Sequence, residues 1–325
     1  MNRQRRQFLH LVTGAVALPA VSRLASGQAY PTRPVRIIHG FFTGGSADLF
    51  ARLIGQWLSE RLGQPFIIEN RPGAGGNIAT ETVVRAAPDG YTLLLVTVSN
   101  AINEVLFEKL NFNFIRDVVP IATVTRGIGV MVVNPSFPAK SVPELIAYAK
   151  ANPGKMNMAS GGNGGPQHIY GEYFKMMAGV DVLHVPYRGG PAALTALIAG
   201  EVQMMIDNLS IAIEQIRVGR LRALAVTAST RSEVVPEVPT LAEFVPGYEA
   251  TAWLGMGAPR NTPREIIEKL NKEINAALAD PKFKARITDL GYTPFVTSSA
   301  EFGQFIVDET EKWGKVIRAA NIRAE

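Results

Sequence analysis

The chain has 325 residues, 47% of them apolar and 19% charged, enough for two ordinary domains with a substantial core. It has no cysteine, which excludes disulfides, thiolate metal sites and cysteine nucleophiles, and its four histidines show no metal-ligand spacing. The formal charge of +5 is not a nucleic-acid footprint: residues 1–29 hold four arginines and no acid, and the remainder carries +1.

Residues 1–29, MNRQRRQFLHLVTGAVALPAVSRLASGQA, have a basic start, a mildly apolar middle and a small-residue end, the pattern of an export signal. Arg5-Arg6 followed by Gln7-Phe8-Leu9 matches the twin-arginine type, with cleavage expected after Ala29. The apolar stretch Leu11–Ala20 is too short to span a bilayer. The rest of the chain is therefore expected in the periplasm.

Beyond residue 30, apolar strand-like runs alternate with helical patterns. Strands are expected at 35–41, 65–70, 91–98, 118–125, 129–134, 155–160, 180–187, 202–207 and 221–228, most of them followed by a helix. Ser141 and Glu144 read as a capping box, as do Ser298 and Glu301 before the last helix, which carries Phe302, Phe305, Ile306 and Trp313 on one stripe. Pro263 reads as the first residue of another long helix. Such alternation predicts an α/β protein with parallel βαβ units. Packing logic then assigns residues 30–124 with 226–325 to one domain and 125–225 to a second. The chain crosses twice and leaves a cleft between the two.

Several strand-to-helix loops share one design. Thr43-Gly44-Gly45-Ser46 and Ser160-Gly161-Gly162-Asn163 are alike and lie in opposite halves; Gly73–Gly76, Ser99-Asn100 and Gly189-Gly190-Pro191 are further examples. A helix start leaves backbone N–H groups unpaired and favours an anion. Three ligand readings compete, besides turns that only turn. A phosphate is disfavoured, because no lysine follows Gly40–Gly45 and Asp48 would oppose a dianion. A serine hydrolase using Ser46 or Ser160 with His168 lacks the nucleophile-elbow pattern, since Asp48 stands where glycine should. The third reading is a carboxylate that is held and not transformed.

Individual residues carry weaker signals. Asp48 and Arg52 are spaced for an ion pair on one helix face, and Asp48 is also a helix-start residue. Asp207 ends an apolar strand, where it would cap the next helix or meet a ligand ammonium or hydroxyl. His39 reads as core. His168, in the first turn of a helix, is a ligand contact or a cap, and Arg188 is the most available cation for a distal carboxylate. Glu69 and Asn70 read as supports for the following RPGAGG turn.

Six blocks in order resemble one family, the Bug-type periplasmic receptors of tripartite tricarboxylate transporters. The first two are YPTRPVRIIHGFFTGGSADLFARLIG and LGQPFIIENRPGAGGNIATETVVRAAPDGYTLL. KSVPELIAYAKANPGKMNMASGGNGGPQH, VDVLHVPYRGGPAALTALIAGEVQMMID, GRLRALAVTASTR and EVPTLAEFVPGYEATAWLGMGAP follow. The resemblance implies a two-domain venus-flytrap fold like type II periplasmic binding proteins, with mixed, mostly parallel sheets flanked by helices and a hinge of two crossing strands. It implies capture of a small carboxylate (a di- or tricarboxylate, an aromatic acid or an acidic amino acid) and delivery to an integral membrane permease, without catalysis. Carried over, the ligand loops are Thr43, Gly45, Ser46 and Asp48 on one side and Ser160, Gly162, Gly164 and His168 on the other. Ser99, Asn100, Arg188 and Asp207 join them as candidates. Two departures stand out: Gly165 occupies a position where the family commonly has serine, and Phe42 one where it often has proline or a small residue. The Phe42 ring would pack over an apolar ligand body or lie in the core. No cofactor, metal or nucleic acid is expected, and the protein is expected to act as a monomer.

Overall fold

In the computed structural model, residues 30–324 are described; the expected export signal lies outside them. The first lobe opens with β1 (Val35–His39), α1 (Ser46–Leu62), β2 (Phe66–Asn70), α2 (Asn77–Val84), β3 (Thr92–Thr97), α3 (Val98–Leu106) and α4 (Phe114–Asp117). The long strand β4 (Val118–Val133) leads into α5 (Val142–Ala151), β5 (Asn157–Ser160), α6 (Pro166–Ala178), β6 (Leu183–Pro186) and α7 (Gly190–Ala199). Then come β7 (Met204–Asn208), α8 (Leu209–Arg217) and β8 (Arg222–Val226). The chain returns through β9 (Thr251–Pro259), α9 (Arg264–Ala279), α10 (Pro281–Asp289), β10 (Tyr292–Pro294) and α11 (Ser299–Ala319).

The strands run in the order β2-β1-β3-β9-β4-β7-β5-β6, with β8 and β10 also pairing with β4. Pairing is parallel in the two wings, β2-β1-β3 and β7-β5-β6, and antiparallel wherever β4 or β9 takes part. The result is the mixed α/β, two-domain fold of periplasmic binding proteins. One lobe is built on β1, β2, β3, β9 and β10, and the other on β5 to β8.

Strand β4 belongs to both lobes. Its first part pairs with β9 and β10, its last part with β7 and β8. Two strands, 118–125 and 129–134, are expected from the sequence. They form one instead. A Cβ on Gly127 would overlap the Tyr292 ring, and one on Gly129 would overlap the Thr227 side chain. These glycines permit close packing where the chain passes between lobes. The second passage runs from β8 through Thr227, whose N–H donates to Gly129 O (2.8 Å), to Ala250, whose N–H donates to Thr227 O (3.1 Å).

The central strands read as unbroken apolar runs because both faces are covered. Along β3, Leu93 and Leu95 enter one core with Ile37, Phe50 and Leu58, while Leu94 and Val96 enter another with Ile38, Ala101 and Ile102. Along β4, Val130 and Val132 face a third core under α7 and α8, and Met131 and Val133 face the second. The last helix begins with the Ser298/Glu301 capping box and buries Phe302, Ile306 and Trp313. At α5 half of the expected box forms: Ser141 Oγ accepts from Glu144 N–H, but Glu144 Oε2 accepts from Lys140 N–H (2.8 Å). Pro263 is the N-cap of α9, one residue before the expected position.

Strand β9 is the element least expected. TAWLGMGAP alternates weakly, yet it pairs with both β3 and β4. It fills the place between the first wing and the crossing strand, and it buries Trp253 completely.

Candidate functional site

The carboxyl ends of the parallel strands of both lobes face one cavity of about 400 Å³. Five helices start on its wall. Gly45, Ser46 and Ala47 belong to the start of α1, Thr97, Val98 and Ser99 to that of α3, and Gly165, Pro166 and Gln167 to that of α6. Gly190 belongs to α7, and Asn208 caps α8. Only α3 has a side-chain cap: Asn100 Oδ1 accepts from Thr97 N–H (2.8 Å). The other four begin at Gly45, Gly165, Gly189 and Asn208 with no side-chain cap. Helix starts without caps leave first-turn N–H groups for water or a ligand. A negative group placed among them gains from their partial positive charge.

The remaining wall is apolar. Phe41, Tyr170, Ile206, Ala252, Trp253 and Leu254 line it. Trp253 is fixed from behind by Glu309 on α11, whose Oε2 accepts from both Trp253 Nε1–H and Trp313 Nε1–H, each at 2.9 Å. Tyr170 donates to Thr251 O (3.0 Å), and its ring meets Trp313 at 5.1 Å. The lining contains no lysine, arginine or histidine, and Asp207 is its one carboxylate.

Of the residues expected at the site, Gly45, Ser46, Ser99, Gly165 and Asp207 line this cavity. Phe42 does not: its ring is 78% exposed, and the neighbouring Phe41 takes the place at the wall. Neither the core nor the ligand-facing alternative for Phe42 matches that position. Thr43 is exposed on the same loop and Arg188 is exposed beyond β6; neither borders the cavity. Asn100 is buried as a cap, with its Nδ2 donating to Thr80 Oγ1 (2.8 Å).

Asp48 lies beneath the first loop, with only 3% of its surface exposed. Gly44 N–H donates to its Oδ2 (3.1 Å), so the carboxylate shapes the loop from behind. Arg52 holds both oxygens, at 3.0 and 2.9 Å, and Asn70 Nδ2 donates to Oδ1 (3.0 Å) and Phe41 O (3.2 Å). The Arg52 guanidinium first, then Asn70 and Gly44, hold this carboxyl far below the usual range against the opposing effect of burial. His39 closes the network. Its Nδ1 lies 3.3 Å from Phe41 N, and its Nε2 lies 3.0 Å from Asn70 Nδ2 and 3.4 Å from Asp48 Oδ1. Burial lowers the His39 pKa although Asp48 opposes it.

The second loop is supported differently. Ser160 is fully buried, and its Oγ meets His184 Nε2 at 2.6 Å and accepts from Gly162 N–H at 3.2 Å. The disfavoured hydrolase reading would pair Ser46 or Ser160 with His168; the imidazole beside Ser160 is that of His184. His168 stacks on it, with centroids 3.6 Å apart and planes 7° from parallel. Its Nδ1 accepts from Gly164 N–H (3.0 Å), and its Nε2 faces Glu172 Oε1 at 3.7 Å. Burial, then neighbouring His168, pushes the His184 pKa down to about 4. Burial acts to raise Glu172, but His168 and Lys175 outweigh it and lower the pKa. This group faces away from the cavity.

The two loops therefore differ in what they have left to offer. In the second, Gly161 N–H donates to Gln167 Oε1 (2.8 Å), Gly162 to Ser160, Gly164 to His168 and Gly165 to Gly162 O (3.4 Å). Its glycine amides are spent inside the loop. In the first, only the Phe41 and Gly44 amides are tied to side chains, and the start of α1 is uncapped.

Gln167 was not singled out from the sequence, although it adjoins His168 in GPQH. Its Oε1 holds Gly161, while its Nε2 donates to Asp207 Oδ1 (2.7 Å), as does Asn208 N–H (2.8 Å). Asp207 is 2% exposed; burial raises its pKa, and the two donors oppose that effect. Glu309 was likewise unforeseen, because its partners come from β9 and α11, 56 and 4 residues away.

Among the described residues no group of three or more His, Asp or Glu side chains is arranged to hold a metal ion. No described helix is long and apolar enough to cross a membrane.

Comparison with known proteins agrees with this geometry. Residues 50–322 match the model of the tripartite tricarboxylate transporter family receptor. Protein BugT of Bordetella pertussis is 36% identical over 313 residues, covering 95% of this chain and 94% of its own. Rpa4515 of R. palustris, solved with adipate, is 35% identical with a TM-score of 0.81, over 90% of this chain and 99% of its own. MatC (Rpa3494) of Rhodopseudomonas palustris, solved with malate, is 34% identical with a TM-score of 0.76, over 89% of this chain and 100% of its own.

Proposed function

Since the chain belongs to the tripartite tricarboxylate transporter receptor family, we propose that it captures a small carboxylate in the cavity between its lobes. Delivery would be to the membrane permease of such a transporter, from the periplasm, with the protein acting as a monomer. The observation that carries the reading is the set of four uncapped helix starts around one cavity that has no basic side chain. A carboxylate there needs no arginine. Each helix start contributes roughly 0.3–2 kcal/mol to an anion, and each charge-assisted hydrogen bond roughly 1.5–3 kcal/mol. Micromolar affinity requires about 8 kcal/mol, which a few such terms supply together. The apolar wall suits the body of an aliphatic or aromatic acid, and the adipate and malate seen in relatives support a ligand of that size.

The moving units in this proposal are residues 30–124 with 226–325 and residues 125–225, hinged at β4 and at the passage through Thr227. Closure around the ligand would be of the hinge type. No reaction is required of the site. Ser160 is fully buried and Ser46 has no imidazole paired with it among the described residues. A serine-directed fluorophosphonate that labelled the folded protein would argue for hydrolysis instead.

A thermal-shift panel tests the reading. Di- and tricarboxylates, aromatic acids and acidic amino acids are compared with nucleotides and sugars. At a hundredfold its dissociation constant, a true ligand adds about 2.7 kcal/mol to stability. Shifts with nucleotides or sugars alone would overturn the proposal.

A further inference from the structure

Asp207 stands out within the cavity. It ends β7 on the wall, it is 2% exposed, and both of its hydrogen bonds fall on one oxygen. Oδ1 accepts from Gln167 Nε2–H and Asn208 N–H, whereas Oδ2 is buried with no partner. Of the buried side-chain polar atoms left without a partner among the described residues, it is the one whose residue lines the cavity. Leaving such an atom unpaired is costly, and a carboxylate oxygen can only accept. No lysine, arginine or histidine in the lining answers it.

We infer that the ligand carries a hydrogen-bond donor, a protonated amine or a hydroxyl, which pairs with Asp207 Oδ2 while its own carboxylate lies among the helix starts. The inference rests on the carboxylate reading above and narrows it to amino or hydroxy acids. Gln167 is the positioning residue: it joins the Gly161 amide of the second loop to Asp207, so the loop and the acceptor are set by one side chain. A charge-assisted bond of this kind is worth about a tenfold to hundredfold difference in affinity.

The test uses matched acids that differ by one group: succinate, malate and aspartate; hexanoate, 6-hydroxyhexanoate and 6-aminohexanoate; 3-phenylpropanoate, 3-phenyllactate and phenylalanine. Isothermal titration of the wild-type protein should show at least a tenfold preference for a donor-bearing member in each carbon frame that binds. In Asp207→Asn the two donors to Oδ1 keep the amide oxygen in place, so an N–H₂ group replaces Oδ2. An acceptor becomes a donor, and the preference should fall to threefold or less, or reverse. Equal affinity for the member without a donor in every frame that binds would overturn the inference. So would an undiminished preference in Asp207→Asn, or succinate held more tightly than malate, as a protonated Asp207 facing a second carboxylate would give. If the variant does not fold, the wild-type ratios decide. Binding of carboxylates without donor preference defeats this inference alone; binding of no carboxylate defeats the proposed function with it.

Discussion

The loops of residues 40–48 and 160–168 share one design and differ in what holds them. Both join a buried strand to an uncapped helix start through paired glycines. Beneath the first lies an ionic network in which Asp48 receives Gly44, Arg52 and Asn70. Beneath the second lies a stack of His168 and His184, with Ser160 held against it. The first loop keeps donors for a ligand; the second spends its glycine amides on its own shape and offers a fixed edge. Similar loop sequences thus make unequal halves of a clamp.

The largest expected difference is in stability. Gly164 and Gly44 both have positive φ, at +70° and +88°, but a Cβ on Gly164 overlaps Leu106 Cδ2, whereas one on Gly44 meets nothing within 4 Å. Gly44→Ala should cost the left-handed conformation alone, about 1–2 kcal/mol. Gly164→Ala adds overpacking and should cost about 2–4 kcal/mol. Urea denaturation of the two variants measures this; equal losses would mean the second loop is no more tightly built than the first.

The serines separate a group buried behind its loop from one that lines the cavity. Ser160→Ala should lose about 1 kcal/mol of stability, with ligand affinity little changed. Ser46→Ala should cost a comparable amount, because the hydroxyl is hydrogen-bonded to the buried Tyr292 side chain, and should also weaken a bound carboxylate by about tenfold. Titration of both variants would show the affinity loss in Ser160→Ala instead if the roles of the loops were reversed.

Acid should reach the two supports at different points. The His184 pKa lies near 4 in the folded protein, below its ordinary 6.5. Between those values the unfolded chain binds more protons, so stability is complete above pH 6.5 and falls as pH drops toward 4. Burial of His39 acts in the same direction. The Asp48 carboxyl is depressed from 3.8, so its contribution is present above that value and is lost only at lower pH. Melting temperature against pH should decline from 6.5 to 4, and less steeply in His184→Gln. An equal decline in that variant would place the titration elsewhere.

Phe42 carries the smallest expected effect. With its ring exposed, Phe42→Ala should change stability by less than about 0.5 kcal/mol. A changed ranking among bound acids would mean that the ring swings over the cleft.

Most of the scaffold was legible because its strands are buried on both faces and its loops are marked by glycine. Gly45, Ser46, Ser99, Gly165 and Asp207 could be placed at strand ends next to helix starts by the same logic. What escaped depends on partners distant in sequence. β9 alternates weakly because it is buried between β3 and β4, and the role of Trp253 needs Glu309 from the last helix. The continuity of β4 through Gly127 and Gly129 is hidden for the same reason: the Tyr292 and Thr227 side chains packed on them lie far along the chain. The pairing of Ser160 with His184 is likewise tertiary, set by the pairing of β5 with β6.

The most direct test of the two-sided clamp is a backbone amide NMR titration with the carboxylate that binds most tightly. The account predicts that Gly45–Ala47 in the first loop and Gln167 with Asn208 in the second lobe shift together and saturate at one concentration. Shifts confined to one lobe, or to residues outside the cavity, would contradict it.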